Sequence, residues 1–329
     1  MSLARASIRR TITAAVVALL ASHVCAWTVK SRELVDVEIS PNGTLTILVS
    51  APGTEAPGLY QWKSGVAEPT RICAINAASF FSFNRRTVIE RVHAERDSLR
   101  LYDAANCAVV GQIETAGRVM DADARGALVA VATQYPDEER VLELYTKRGK
   151  RIAKAAIGRN VELGFAPDGK TLLNFDLSDA ANASASAMWQ LRSLAPTTLP
   201  KWMNTGEVTF IPGAQYMKQY SDGALSIVPW STGKPKYTTP TARNVRVRQL
   251  SGDGRYGVIH ERLAQTDSVA WLDFATGRRV QLGEGSIDHA AISGNGANVA
   301  WTQRGGLLGD EVTVRRAGVS STGTVTSEN

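Results

Sequence analysis

One unit recurs about every 42 residues along this chain. Each copy reads as a short apolar stretch, a tight polar turn, a second apolar stretch and then a strand rich in aromatic residues. The turns are Ser40-Pro41-Asn42-Gly43, Asp123-Ala124-Arg125-Gly126, Ala166-Pro167-Asp168-Gly169, Ser251-Gly252-Asp253-Gly254 and Ser293-Gly294-Asn295-Gly296. Two degenerate copies, Phe83-Asn84-Arg85-Arg86 and Ile211-Pro212-Gly213-Ala214, fall where the period needs them. The last turn residues stand at 43, 86, 126, 169, 214, 254 and 296, so the steps are 43, 40, 43, 45, 40 and 42. A single sheet cannot bury both of its faces, so such units must stack side by side and close into a ring. The expectation is an all-β chain folded as a seven-bladed β-propeller of four-stranded antiparallel blades.

Local patterning agrees. Before each turn, Val37 and Ile39, Leu163 and Phe165, or Ala290 and Ile292 alternate with other residues at the period of a strand. Third strands carry tags such as Leu59-Tyr60-Gln61-Trp62, Leu142-Glu143-Leu144-Tyr145 and Val269-Ala270-Trp271-Leu272. The last unit, from Ile287 to about Ala317, shows only three strands, and Trp27-Thr28-Val29 is free to supply its fourth. The N-terminal strand would then lock the ring by pairing with the last blade. Residues 319–329 are small and polar and read as a frayed, disordered tail.

The first residues read as a leader. Arg5, Arg9 and Arg10 precede an apolar run from Ile12 to Ala21, and Val24-Cys25-Ala26 offers a cleavage site before Trp27. This is the pattern of a secretory signal peptide over 1–26, and the apolar run is too short for a membrane anchor. The domain plan is therefore a signal peptide at 1–26, a propeller at 27–318 and a tail at 319–329, with a periplasmic or secreted mature chain and no membrane span. Formal net charge is +6, of which the leader's three arginines supply half. Lysines and arginines are otherwise scattered among acids rather than gathered on a stripe, which argues against nucleic acid as a partner. The basic run Lys147-Arg148-Gly149-Lys150-Arg151 reads as a solvated hairpin turn. Cys73 and Cys107 remain after export, either as a disulfide between neighbouring units or as two separate thiols.

Chemistry leaves few traces. His93, His260 and His289 have no metal-ligand spacing, and no nucleophile elbow, phosphate-binding glycine loop or quinoprotein repeat occurs. One constellation stands out, because the first strand of each propeller blade lines the central channel. Aligned on the turns, these strands carry Asp36, Glu38, Asp121, Glu162, Glu207, Arg246, Arg248, Asp288 and His289. Carboxylates converging there raise one another's pKa unless cations compensate them. Either they hold a cation or cationic peptide at the channel mouth, or Arg246 and Arg248 neutralise them in an internal network. Three longer loops, 51–58, 178–187 and 305–310, are further places for binding residues.

Val-Glu-Ile-Ser-Pro-Asn-Gly at 37–43, Leu-Gly-Phe-Ala-Pro-Asp-Gly-Lys-Thr-Leu at 163–172 and Leu-Asp-Phe-Ala-Thr-Gly at 272–277 resemble the blade signatures of WD-repeat, YVTN-type and TolB-type propellers. The Gly-His and Trp-Asp dipeptides of eukaryotic WD repeats are missing, so the likeness points to exported bacterial propellers of the YVTN or TolB kind. What it implies is a non-catalytic envelope scaffold that binds a protein, peptide or surface polymer and needs no cofactor. The alternative is a propeller enzyme, lactonase-like or lyase-like, with a divalent cation such as Ca2+ on the channel carboxylates.

Overall fold

The computed structural model describes residues 25–326 except 31–34, 41–42, 51–55, 76–78, 83, 94–96, 137–139, 158–160, 177–184, 199, 205–206, 212–215, 222–223, 241–244, 263–266 and 307–308; only the backbone is described for 161–162, 174–176, 185–187, 203–204, 207–210, 217–221 and 262. The expected leader thus lies outside the described residues up to position 24, as do most of the loops 51–58 and 178–187.

Seven antiparallel sheets make up the described chain, six of them with their strands in sequence order. Blade 1 pairs Val35–Ile39, Leu45–Val49, Gly58–Trp62 and Thr70–Ala74. The innermost strands of blades 2 to 7 are Ser79–Phe81, Arg118–Arg125, Val161–Phe165, Glu207–Phe210, Val245–Leu250 and Ser286–Ile292. Innermost strands neighbour one another, blade 1 against blade 7, blade 6 against blade 7 and blade 3 against blade 4. This is a seven-bladed propeller. Its last sheet is completed by the N-terminal strand Cys25–Lys30, which pairs with Glu311–Val319 in the register Trp27 to Val314 and Val29 to Val312.

Four of the repeated turns close on glycine with the same hydrogen bond. In blade 1, Gly43 N–H donates to Ser40 O at 2.9 Å and Ser40 N–H to Thr44 O at 2.9 Å. Ala166, Ser251 and Ser293 open equivalent turns closed by Gly169, Gly254 and Gly296. The closing residue sits in the left-handed region, with φ of 81° at Gly43 and 76° at Gly296. Such a conformation favours glycine because a Cβ crowds the following carbonyl. Blades 2 and 3 depart from this. Blade 3 turns through Gly126 and Ala127 between the paired Arg125 and Leu128, so Asp123, Ala124 and Arg125, expected in the turn, belong to the strand. The blade 2 turn runs from Ser82 to Arg85, one residue earlier than the repeat spacing predicts, and Arg85 itself takes φ 63° in the place of Gly43, Gly169, Gly254 and Gly296.

Alternation along each strand sends successive side chains into opposite blade interfaces. In blade 1, Leu45, Ile47 and Val49 pack towards blade 7 with Val312 and Val314, whereas Leu48 packs towards blade 2 with Val88 and Tyr102. Further apolar clusters join blades 2 and 3, 3 and 4, 5 and 6, and 6 and 7. Because both faces of each sheet are covered, middle strands such as Leu45–Val49 are almost continuously apolar.

Two terminal features refine the sequence expectations. Pairing of the N-terminal strand begins at Cys25, two residues before the expected cleavage point. The tail from 319 is not frayed throughout: Val319 ends a nine-residue strand, and a Ser320-to-Gly323 turn with the same hydrogen bond leads to Val325–Thr326, which pairs back on Gly318 and Val319. Arg278 Nη1 donates to Thr322 O at 2.6 Å, anchoring that hairpin to blade 6. The basic run at 147–151 is the expected hairpin turn between the third and fourth strands of blade 3, with Gly149 at φ 81°. Cys73, on the outer strand of blade 1, and Cys107, before the outer strand of blade 2, form a disulfide with Cα atoms 6.3 Å apart.

Candidate functional site

The nine candidate side chains do not form one carboxylate ring. Blade 1 contributes the centre. Asp36 and Glu38 lie two apart on Val35–Ile39, so both project from the same face of the strand. Arg85 reaches across from the blade 2 turn. Its Nη1 donates to Asp36 Oδ2 at 2.8 Å and its Nη2 to Asp36 Oδ1 at 2.7 Å; Nη2 also donates to Val37 O at 2.7 Å and Nε to Glu38 Oε2 at 3.0 Å. A fork-to-fork pair of this kind matches guanidinium and carboxylate geometry. Blade 7 adds His289, whose Nδ1 lies 3.1 Å from Asp36 Oδ1. Blade 6 adds Gln249, whose Nε2 donates to Glu38 Oε2 at 2.8 Å while its Oε1 accepts from Ile292 N–H at 2.6 Å.

The electrostatics follow from this arrangement. Burial by itself would raise Asp36, but Arg85 and His289 outweigh it and hold that carboxyl far below the usual range. Glu38 is pushed up to about 7, because burial dominates and Arg85 and Gln249 offset it only in part. Burial opposes the charge on Arg85, yet the two carboxylates keep it firmly protonated.

Other candidates are spent elsewhere. Asp121 Oδ2 accepts from Leu163 N–H at 2.6 Å, and Asp123 Oδ2 accepts from Phe165 N–H at 2.7 Å, so these acids join blade 3 to blade 4. Asp288 pairs with Arg304 on the next strand of its own blade, at 2.8 Å. Glu162 and Glu207 lie on the innermost strands of blades 4 and 5, and their side chains are outside the described residues. Arg246 is exposed. Arg248 does not neutralise the carboxylates as the sequence-based network required: its Nη2 instead lies 2.9 Å from His260 Nδ1. Burial first, and then Arg246, lower the pKa of Arg248, and burial and Arg248 together lower that of His260.

Asp36, Arg85, Arg248, Gln249, His289 and Ala290 line a cavity of about 100 Å³. Arg85 and Gln249 were not among the residues expected from sequence. The one signal for Arg85 was the pair Arg85-Arg86 at the end of a turn that closes on glycine in five of the other six copies. Among the described residues no group of three His, Cys, Asp or Glu side chains converges to hold a metal. Asp36 and Glu38 are already committed to Arg85.

A second cleft, about 480 Å³, opens between blades 2 and 3 and is lined by His93, Asp97, Arg118 and Tyr135 among others. There Asp97 Oδ2 accepts from Val119 N–H at 2.8 Å, and Oδ1 lies 2.9 Å from His93 Nδ1, which ties the loop to the next blade.

Neither a protein-family model nor a curated protein matches the chain in sequence. Solved structures do match in fold. An oligogalacturonate lyase from Vibrio parahaemolyticus superposes with a TM-score of 0.59 at 12% identity, covering 90% of this chain and 92% of that one. A chain of the mitotic checkpoint complex superposes with a TM-score of 0.52 at 10% identity, covering 88% of this chain and 93% of that one. Both likenesses concern the β-propeller architecture. Among the described residues no helix is long and apolar enough to cross a membrane.

Proposed function

We propose that this protein is an exported, non-catalytic propeller scaffold that binds a protein or peptide partner in the periplasm or outside the cell. The observation that carries this reading is the Arg85 clamp, in which the two central carboxylates are consumed by an internal cation. A propeller enzyme working through a divalent cation needs those carboxylates available, and here four nitrogen donors from the protein occupy Asp36 alone. Export is supported by the leader-like residues at the start of the chain and by the Cys73–Cys107 disulfide, since such bonds persist in oxidising compartments. Fold neighbours favour neither class, because one is named a lyase and the other belongs to a protein assembly.

Two measurements on the mature protein test the reading. Elemental analysis should find no stoichiometric metal, and chelator should leave the unfolding midpoint unchanged. A photo-crosslinking residue placed at the channel mouth should give one discrete adduct in the native envelope, while one at exposed Ile152 on the outer strand of blade 3 should not. A tightly held metal whose removal lowers the midpoint would overturn the scaffold reading in favour of the enzyme.

A further inference from the structure

We propose that the small cavity shared by blades 1, 2, 6 and 7 is a carboxylate pocket, in which Arg248 and His289 receive the C-terminal carboxylate of a peptide partner. The case rests on counting what the cavity wall has left to offer. Its acceptors are spent. Asp36 takes both Nη atoms of Arg85, the Val37 N–H and His289 Nδ1, and Gln249 is bonded through both its oxygen and its nitrogen. Arg85 has likewise spent its Nε and both Nη atoms.

What remains is donors. Among the described residues Arg248 makes one side-chain hydrogen bond, to His260, and its buried Nε has no acceptor. No carboxylate lies within ion-pair distance of Arg248 among the described residues. His289 uses Nδ1 on Asp36, which leaves Nε2 without a protein partner among the described residues. A buried N–H without an acceptor costs free energy, and a guanidinium lacking its counter-ion costs more. An apolar side chain of similar size would serve packing better. An arginine kept there with unspent donors on a cavity is therefore poised for an anion. A planar guanidinium is the fork that fits a carboxylate.

The size of the cavity selects among carboxylates. About 100 Å³ has room for roughly three waters, or for one carboxylate and the carbon that bears it. A chain end can enter such a space end-on. A uronic acid inside a polymer carries linkages on both sides of its ring and calls for a groove instead. This inference rests on the scaffold reading for the nature of the ligand, but the binding step is tested without it. Metal in the elemental analysis would overturn the scaffold and leave the titration below unaffected.

The test titrates the mature protein with N-acetyl-trialanine, its C-terminal amide, acetate and glucuronate, each against chloride at equal ionic strength. The readouts are the Arg248 Nε–H resonance and the unfolding midpoint. The free acid should shift that resonance saturably, raise the midpoint as its concentration climbs, and bind at least tenfold more tightly than the amide. Arg248→Met should match or exceed the native midpoint in chloride and lose the response to the acid. Should that variant not fold, the resonance of the native protein still decides. Equal binding of acid and amide, an unmoved Arg248 resonance, or a response confined to glucuronate would each overturn the proposal.

Discussion

Arg85 grips both carboxylate oxygens of Asp36, at 2.7 and 2.8 Å, from a turn in the neighbouring blade. To do so it occupies the left-handed position that glycine takes in the equivalent turns, at a cost of about 1–2 kcal/mol for a residue with a Cβ. Strain of this kind persists where surrounding contacts over-determine it. Here they include both carboxylates, the Val37 carbonyl and the Phe81 ring, whose centroid lies 4.4 Å from the guanidinium carbon.

Arg85→Gly therefore removes strain and a clamp together. Breaking a buried pair costs about 3–5 kcal/mol, so with the strain relieved the net loss should be about 1–4 kcal/mol in urea unfolding. Adding Asp36→Asn and Glu38→Gln removes the stranded charges and should restore most of that loss. A single Arg85→Gly variant as stable as the native protein would refute the clamp.

Glu38 makes stability depend on pH. Its folded pKa of about 7 exceeds the ordinary 4.5, so the folded state holds this proton more tightly than the unfolded chain. Its contribution is complete below 4.5 and is lost as pH rises through 7, with a slope of up to about 1.4 kcal/mol per unit. Asp36 works in the opposite sense: held below its ordinary 3.8, its contribution is present above that pH and is lost on stronger acidification. Glu38→Gln should flatten the curve between pH 4.5 and 7, measured as urea midpoints across that range. A variant retaining the native slope would place the proton elsewhere.

Ring closure depends on a strand of six residues. Val29 is fully buried against Val312 and Val314, and the Trp27 ring centroid lies 5.4 Å from that of Tyr60 in blade 1. Val29→Asp buries an unpaired charge and should cost about 3 kcal/mol or more. Protease should then cut first within Glu311–Val319, the strand that loses its partner. Thr28→Val, on the exposed side, should change stability by less than about 0.5 kcal/mol.

The Cys73–Cys107 bond closes a loop with a sequence separation of 34. Chain-entropy arguments give about 4 kcal/mol for a loop of that length as an upper bound. The Cys73→Ser/Cys107→Ser protein should unfold at lower urea and no longer respond to reductant. An unchanged midpoint in the native protein after reduction would mean that the blade interface alone supplies the local stability.

The architecture was legible because a propeller writes its period into the chain. Turn glycines such as Gly169 and Gly254 answer a local backbone demand, and alternating residues such as Ile47 and Leu48 answer the demand for two covered faces. Even the closing strand could be read, since blade 7 lacked a fourth. The degenerate blade 2 turn was misplaced by one residue because its glycine was gone. The tail hairpin was missed because its two-residue strand carries almost no apolar signal.

The candidate site was legible only as a set of charges. Asp36, Arg248 and His289 do line one cavity, and Glu38 shares Arg85 with Asp36, but the partner each takes was invisible in the sequence. Arg85 comes from 49 positions beyond Asp36, and Gln249 from 211 positions beyond Glu38. Strand periodicity tells which way a side chain points; it carries no record of which side chain will stand opposite once seven blades have closed. The chain by itself thus determined the blades, their number and their order. Only the closed ring decided that Arg85 neutralises the acids and that Arg248 is left facing the cavity, because the relative placement of distant inner strands sets those distances, and charge pairing follows distance.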